Sequence, residues 1–274
     1  MKLVSEDHSY VVGKLVAEAS RYRLYLCTQE DTGRELLLQI PTDATLNGLL
    51  DRSAFILREL KRQSDELEAE YAMIKEDPKN MLNYHLAFPE IVDSFVCEEQ
   101  GGRRVNIYAF RNVEDVRNMI PLSNIIEIDR QRVDLKTSGW VMGKLLKLLT
   151  FAHSLGYTVG RISPANILIE PNQHYVLIFD WFDARTHPGE EIPTDETRDE
   201  IRYAAQAVIN LLGGDLESRS FPNDNEEGFA EYTKHLLYLA SGAMHSAKKA
   251  HQRFYDLIRP LWGRSFHPFT SFDL

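Results

Sequence analysis

F-A-H-S-L-G-Y-T-V-G-R-I-S-P-A-N-I-L-I-E-P-N-Q-H-Y-V-L-I-F-D-W-F-D, residues 151–183, is the stretch that decides the fold. It opens on the end of an amphipathic segment, Ser138 to Leu155, with Val141, Leu145, Leu148, Leu149 and Ala152 on one face and Gly156 where a helix stop belongs. Two short apolar strands follow, Asn166 to Glu170 and Tyr175 to Phe179, around the turn Pro171-Asn172. Asp180 stands directly after the second strand, and Arg161 precedes Asn166 by five positions.

Upstream the pattern is that of strands. Val11 to Leu15, Arg23 to Thr28 and Glu35 to Ile40 are short apolar or alternating runs, with Asp31-Thr32-Gly33 as hairpin chemistry between the last two. Leu49 to Ile74 carries Phe55, Leu57, Leu60, Leu67 and Met73 at helical spacing, with Pro78 just beyond. Ile91 to Glu98 and Arg104 to Phe110 are two more strands, joined by Gln100-Gly101-Gly102, where glycine accepts a positive φ. Arg111 to Asn118 is a polar connector. Downstream, helices are expected over Asp199 to Leu212, Phe229 to Met244 and Ala247 to Leu261. Five strands with one helix, a linker and a helical remainder predict an α+β chain of two lobes, divided as 1–112 and 113–274.

The chain has 274 residues, 43% of them hydrophobic and 26% charged, which is ordinary globular composition. Its 31 Lys+Arg against 41 Asp+Glu leave a formal charge of −10, which argues against broad attraction to nucleic acid or to an anionic membrane, although a local basic patch survives such an average. Protein or small-molecule partners are therefore expected, a protein partner first. Cys27 and Cys97 have no ligand-spaced companions and read as reduced core thiols. Met1 to Tyr10 lacks the apolar centre of a secretory signal, and no apolar run approaches the roughly 20 residues that span a bilayer, so a cytoplasmic location is expected.

The segment from His153 to Asp183 resembles the catalytic and metal-binding region of the protein-kinase-like superfamily, H-R-D-L-x-x-x-N followed by D-F-G. Asp180-Trp181 and Val159-Gly160-Arg161 are also similar to the aminoglycoside and choline phosphotransferase branch. The C-terminal R-P-L-W-G-R-S-F-H-P-F resembles small bacterial and phage kinase-like proteins, and the branch stays open. The resemblance spans the chain. It implies a small five-stranded antiparallel N-lobe with one long helix, a larger and mainly helical C-lobe, and a nucleotide cleft between them.

Phosphoryl transfer is mostly positioning and electrostatics, so the resemblance can be tested role by role. The Gly-rich loop corresponds to Ala17-Glu18-Ala19-Ser20-Arg21-Tyr22, which has no glycine. The phosphate-binding lysine corresponds to Gln39 in Leu36-Leu37-Leu38-Gln39, and its helix partner to Glu59, with Glu66 next; Glu59 reads more readily as one more charge on a solvated helix face. The catalytic aspartate corresponds to Arg161, and a guanidinium cannot accept a proton from a hydroxyl. Asn166 and Asp180 retain metal-ligand oxygens, with turn capping and an ion pair to Arg161 as their structural alternatives. Asp199 corresponds to the aspartate that opens a kinase helix, and the short stretch Asp183 to Arg198 leaves little peptide-substrate platform. His153 reads as a packed core histidine.

These replacements imply a pseudokinase that acts as a binding, scaffold or regulatory module. It has no catalytic residue in the degenerate positions Arg161 and Gln39, and a vestigial nucleotide cleft at Ala17, Ala19, Gln39, Tyr108, Asn166 and Asp180. No cofactor is required. Mg-ATP would bind weakly, with Asn166 and Asp180 as the metal positions and Arg161 expected to neutralise Asp180. The outer face of the long helix, with Arg58, Lys61 and Arg62, is an expected partner surface. The competing expectations are an atypical ATP-dependent phospho- or nucleotidyl-transferase built on Asn166 and Asp180, and a metal-independent nucleotide sensor.

Overall fold

Residues 1–74, 81–113, 115–222, 225–263 and 266–274 are described by the computed structural model. They divide into two compact units, Met1–Asn118 with Phe182–Ala184, and Met119–Trp181 with Arg185–Leu274. Pro78, expected just past the long helix, and Arg264-Ser265 of the C-terminal motif lie outside the described residues.

The first unit is a sheet with one helix. Its strands are β1 (Lys2–Val4), β2 (Ser9–Glu18), β3 (Tyr22–Gln29), β4 (Glu35–Pro41), β5 (Glu90–Cys97) and β6 (Arg103–Ala109), with α1 (Asn47–Ile74) between β4 and β5. The order is β1-β2-β3-β4-β6-β5, and every pairing is antiparallel. The sheet has six strands where five were expected. The added one pairs Leu3 with Tyr10 across a tight turn, and three residues are too short for alternation to register in sequence. Leu36, Leu38, Ile40, Val105 and Ile107 form the core together with the two cysteines, which are buried free thiols as expected. Burial pushes the Cys27 thiol up to about 12, so it stays protonated. Leu50, Ala54, Ile56, Leu57 and Leu60 bury one stripe of α1. Connector residues Val113 and Val116 are also buried, so that segment is less polar than its composition suggests.

The second unit is mainly helical. It contains β7 (Ile120–Pro121), β8 (Gln131–Val133), α2 (Leu135–Ser154), β9 (Tyr157–Thr158), β10 (Ile167–Glu170), β11 (Tyr175–Ile178), β12 (Arg185–Thr186), α3 (Thr194–Leu211), α4 (Phe229–Ala240), α5 (Ala247–Trp262) and β13 (Ser271–Asp273). Helix α2 starts earlier than Ser138 because Asp134 caps it, its Oδ1 accepting from the Thr137 N–H at 2.8 Å. Helix α3 starts at Thr194 rather than Asp199: Pro193 precedes it, and Asp195 and Glu196 fall in the first turn, where acidic groups favour a helix dipole. Helix α4 ends before Met244, at Ala240, because Gly242 turns the chain at φ 77°. Helix α5 runs antiparallel along α2. A Cβ on Gly139 would lie 2.6 Å from Trp262 Cζ3, and one on Gly143 3.2 Å from Tyr255 Oη, so two glycines one turn apart let the helices approach closely.

Burial lowers the pKa of His174, His235 and His251 below the ordinary value. These side chains are held neutral in the fold, while the unfolded chain protonates them near pH 6.5. Their contribution to stability is complete above about pH 6.5 and is lost as pH falls through that value toward their folded pKa. Urea midpoints are therefore expected to drop between pH 7 and pH 5, and His235→Gln to flatten that drop; a pH-independent midpoint over this range would contradict the assignment.

Candidate functional site

In the second unit the loop between β9 and β10 is tied down by a buried carboxylate. Glu200 of α3, 2% exposed, accepts the Gly160 N–H at 2.6 Å through Oε1 and lies 2.7 Å from His153 Nε2 through Oε2. An acceptor pair this deep is stable because both oxygens have polar partners. This corrects the expectation at Asp199, which instead lies beside Arg198 and Arg202 on the helix surface, 3.2 Å and 3.4 Å away. His153 is packed, as expected, and also hydrogen-bonded.

Asn166 joins the two ends of the strand pair. Its Oδ1 accepts the Asp180 N–H at 2.5 Å, and its Nδ2 donates to the Arg161 carbonyl at 2.6 Å and to the Asp180 carbonyl at 3.1 Å. The cap-like role is thus the one the side chain performs. Asp180 is 8% exposed, and the next residue, Trp181, is buried with Nε1 donating to the Ile178 carbonyl at 2.9 Å. Arg161 turns its backbone to this knot while its side chain is exposed. Among the described residues no ion pair joins its guanidinium to Asp180, so the expected neutralisation does not occur by direct contact. The chain there lets the carbonyl, not the cation, serve Asn166.

In the first unit the stretch Ala17 to Tyr22, which the resemblance sets against a Gly-rich loop, is a closed hairpin turn. The Ala19 N–H donates to the Tyr22 carbonyl at 2.9 Å, and Ala17 and Glu18 lie on exposed strand β2. Arg21 forms an ion pair with Asp183 and lies over the Phe182 ring, 5.0 Å from its centroid, while the Tyr22 ring sits 5.3 Å from the same ring. Asp183, which reads as a loop residue in sequence, thus fixes the turn.

Gln39 lies on β4 at 1% exposure. Its Oε1 accepts from Tyr108 Oη at 2.6 Å, Tyr108 Oη accepts from Asn106 Nδ2 at 3.2 Å, and the same Nδ2 donates to the Leu50 carbonyl of α1 at 3.0 Å. Asn106 Oδ1 accepts from Ser94 Oγ at 2.8 Å. A neutral relay therefore runs from β4 to α1, along the line where the resemblance implies a lysine–glutamate pair. Glu59 and Glu66 take no part: both flank Arg62 on α1, at 2.8 Å and 2.7 Å. Lys61 is likewise engaged with Asp65 at 2.7 Å, so much of the expected partner face on α1 is internally paired. Asn106 and Ser94 escape sequence reading, and the signal for them is a polar residue at an inward position of an apolar strand.

Among the described residues no group of three or more His, Cys, Asp or Glu could hold a metal ion. Asn166 and Asp180 supply one carboxylate and one amide oxygen, and that amide oxygen already accepts an N–H. Mg²⁺ needs near-octahedral oxygen coordination and would have to complete it with water and phosphate oxygens. Among the described residues no helix is long and apolar enough to cross a membrane.

No family model matches the chain, and no curated protein matches it. Solved structures do. That of vaccinia related kinase 3 superposes with a TM-score of 0.59 at 13% identity, covering 95% of this chain and 90% of that one. The Mycobacterium tuberculosis PknI kinase domain, solved as a double mutant, gives a TM-score of 0.53 at 13% identity, covering 90% of this chain and 95% of that one. The chain has the protein-kinase-like fold. The relay makes a measurable claim: Asn106→Leu removes the bonds to the Leu50 carbonyl, the Tyr108 hydroxyl and Ser94 Oγ at once and is expected to cost about 2 kcal/mol in chemical denaturation. A loss below about 0.5 kcal/mol, the range of ordinary surface changes, would show that the relay is incidental.

Proposed function

We propose that this chain is a pseudokinase, a kinase-fold protein that works in the cytoplasm by binding a protein partner and needs no nucleotide for it. The observation that carries this reading is Gln39. The position that should present a cation to phosphates holds a neutral amide, buried and committed to Tyr108. A buried neutral amide cannot supply the charge that positions the α and β phosphates. Arg161, exposed and permanently cationic, cannot act as the base, and the Ala19–Tyr22 turn spends a backbone N–H on itself that a phosphate-covering loop would offer outward.

A second reading, an atypical phospho- or nucleotidyl-transferase, is favoured by one feature: the Asn166 side chain is bonded to the Asp180 backbone, which keeps the two residues of the metal pair side by side. One experiment separates the two. Purified protein is incubated with ATP labelled in the α or γ position, with Mg²⁺ or Mn²⁺ and candidate protein and aminoglycoside acceptors, and products are read by mass. The pseudokinase reading expects no phosphorylated or adenylylated product from the wild type. Turnover that disappears in Asp180→Ala would establish the transferase instead.

A further inference from the structure

Helix α2 carries Trp140 and Lys144 four residues apart, so both stand on one face. A helical side chain leans toward the N-terminal end of its helix, which directs the Lys144 stem back toward the turn that holds Trp140. The indole belongs to an aromatic stack: the His174 ring lies 4.4 Å from Trp140, centroid to centroid, and the Phe266 ring lies 4.3 Å from His174. The Lys144 charge acts on His174, which places the amine beside this stack. The stem is half-buried, and the amine makes no ion pair or hydrogen bond among the described residues. Lys144 Nζ is nevertheless absent from the set of buried, unpartnered side-chain nitrogens, so it opens to solvent.

The titratable groups around Lys144 leave its charge uncompensated. Glu170, the acid whose field reaches His174, accepts from the Gln173 N–H and from Asn172 Nδ2. His267 lies 2.5 Å from Asp134, and Lys147 on the next turn has its own partner and takes no part. Tyr255 of α5 packs on the neighbouring Gly143. Burial, with no carboxylate acting against it, holds the Lys144 amine below the ordinary lysine pKa. Only a neutral amine attacks an acyl carbon, and desolvation without a counter-charge is one way a protein makes a nucleophilic lysine. Acylation also removes a charge that is costly to hold half-buried, so the product suits this position better than the ammonium does.

We propose that Lys144 is an acylation site, a nucleophilic amine beside the Trp140–His174 stack that takes an activated acyl group from a small acyl phosphate or an acyl thioester. The Nζ lone pair forms the amide bond to the carbonyl carbon. The bond from that carbon to the phosphate oxygen, or to the thiol sulfur, breaks, and the leaving group departs with the electron pair. The nitrogen gives one proton to water, and no further reactant is needed. A half-buried amine on a chain of charge −10 disfavours a bulky, multiply anionic donor, so the acyl phosphate is the better of the two. The site stands apart from the nucleotide question and holds whether or not the chain turns over ATP.

The test is acetylation of the full chain by limiting acetyl phosphate and, separately, by acetyl-CoA, with the rate at each lysine read by tandem mass spectrometry between about pH 6.5 and pH 10. At pH 7 Lys144 is expected to react at least about threefold faster than Lys14, which is exposed on β2, and the advantage to shrink toward pH 10 as exposed amines also become neutral. His174→Asn removes one ring of the stack with a residue that tolerates the φ of 58° at that position, and should return Lys144 to the rate of Lys14. Circular dichroism melts confirm that the variant folds, and the pH profile of the wild type tests the site without any substitution. A Lys144 rate at or below that of Lys14 at pH 7, or a fast rate that His174→Asn leaves untouched, would overturn the proposal. Faster reaction with acetyl-CoA than with acetyl phosphate would overturn the preference for the acyl phosphate.

Discussion

Gln39 is buried between β3 and β6, and its amide is satisfied by the Tyr108 hydroxyl at 2.6 Å. A lysine at the same depth would need a carboxylate beside it, since an unpaired buried charge costs several kcal/mol. A neutral amide removes that requirement, and the first unit is built around the consequence. Glu59 and Glu66 are released to the surface of α1, where they flank Arg62. The helix is held by Asn106 Nδ2 on the Leu50 carbonyl, a bond between fixed groups that no nucleotide or counter-ion has to complete. In an active kinase the corresponding ion pair has to be in place for catalysis and is where activity is controlled. Here the helix is docked by the sheet itself.

The second unit fixes the segment from Gly160 to Asp180 through hydrogen bonds from two buried side chains. Glu200 anchors the Gly160 N–H and His153, and Asn166 anchors the carbonyls of Arg161 and Asp180. The bonds to Gly160, Arg161 and Asp180 use backbone groups, so they hold the chain's path regardless of which side chain stands at position 161. Architecture and chemistry are carried by different groups, which explains how a chain sharing 13% identity with solved kinase domains superposes on them over nearly its whole length.

Much of the fold was legible because it rests on periodic burial. Helix α1, the hairpin β5–β6 and the strand pair β10–β11 follow from spacing and turn residues alone. What sequence reading missed depends on contacts between distant positions. Asp199 and Glu200 are adjacent acids, and it is Glu200 that falls among the buried positions of α3, beside Ile201 and one turn from Thr197 and Ala204. The relay through Asn106 and Ser94 joins residues on four elements, and polar side chains in strands carry no partner information. Arg161 and Asp180 were expected to pair because both belong to one motif, yet the backbone geometry at Asn166 sends the guanidinium outward.

The central claim is that this kinase fold is complete without nucleotide, and calorimetric titration of ATP tests it most directly. Titrations into the wild type and Gln39→Lys, each with and without Mg²⁺, measure what the neutral relay excludes. The account predicts no tight, Mg²⁺-dependent binding by the wild type, and no more than weak binding restored by the lysine, which would have to break the Tyr108 contact. Tight metal-dependent binding of ATP by the wild-type protein would contradict it.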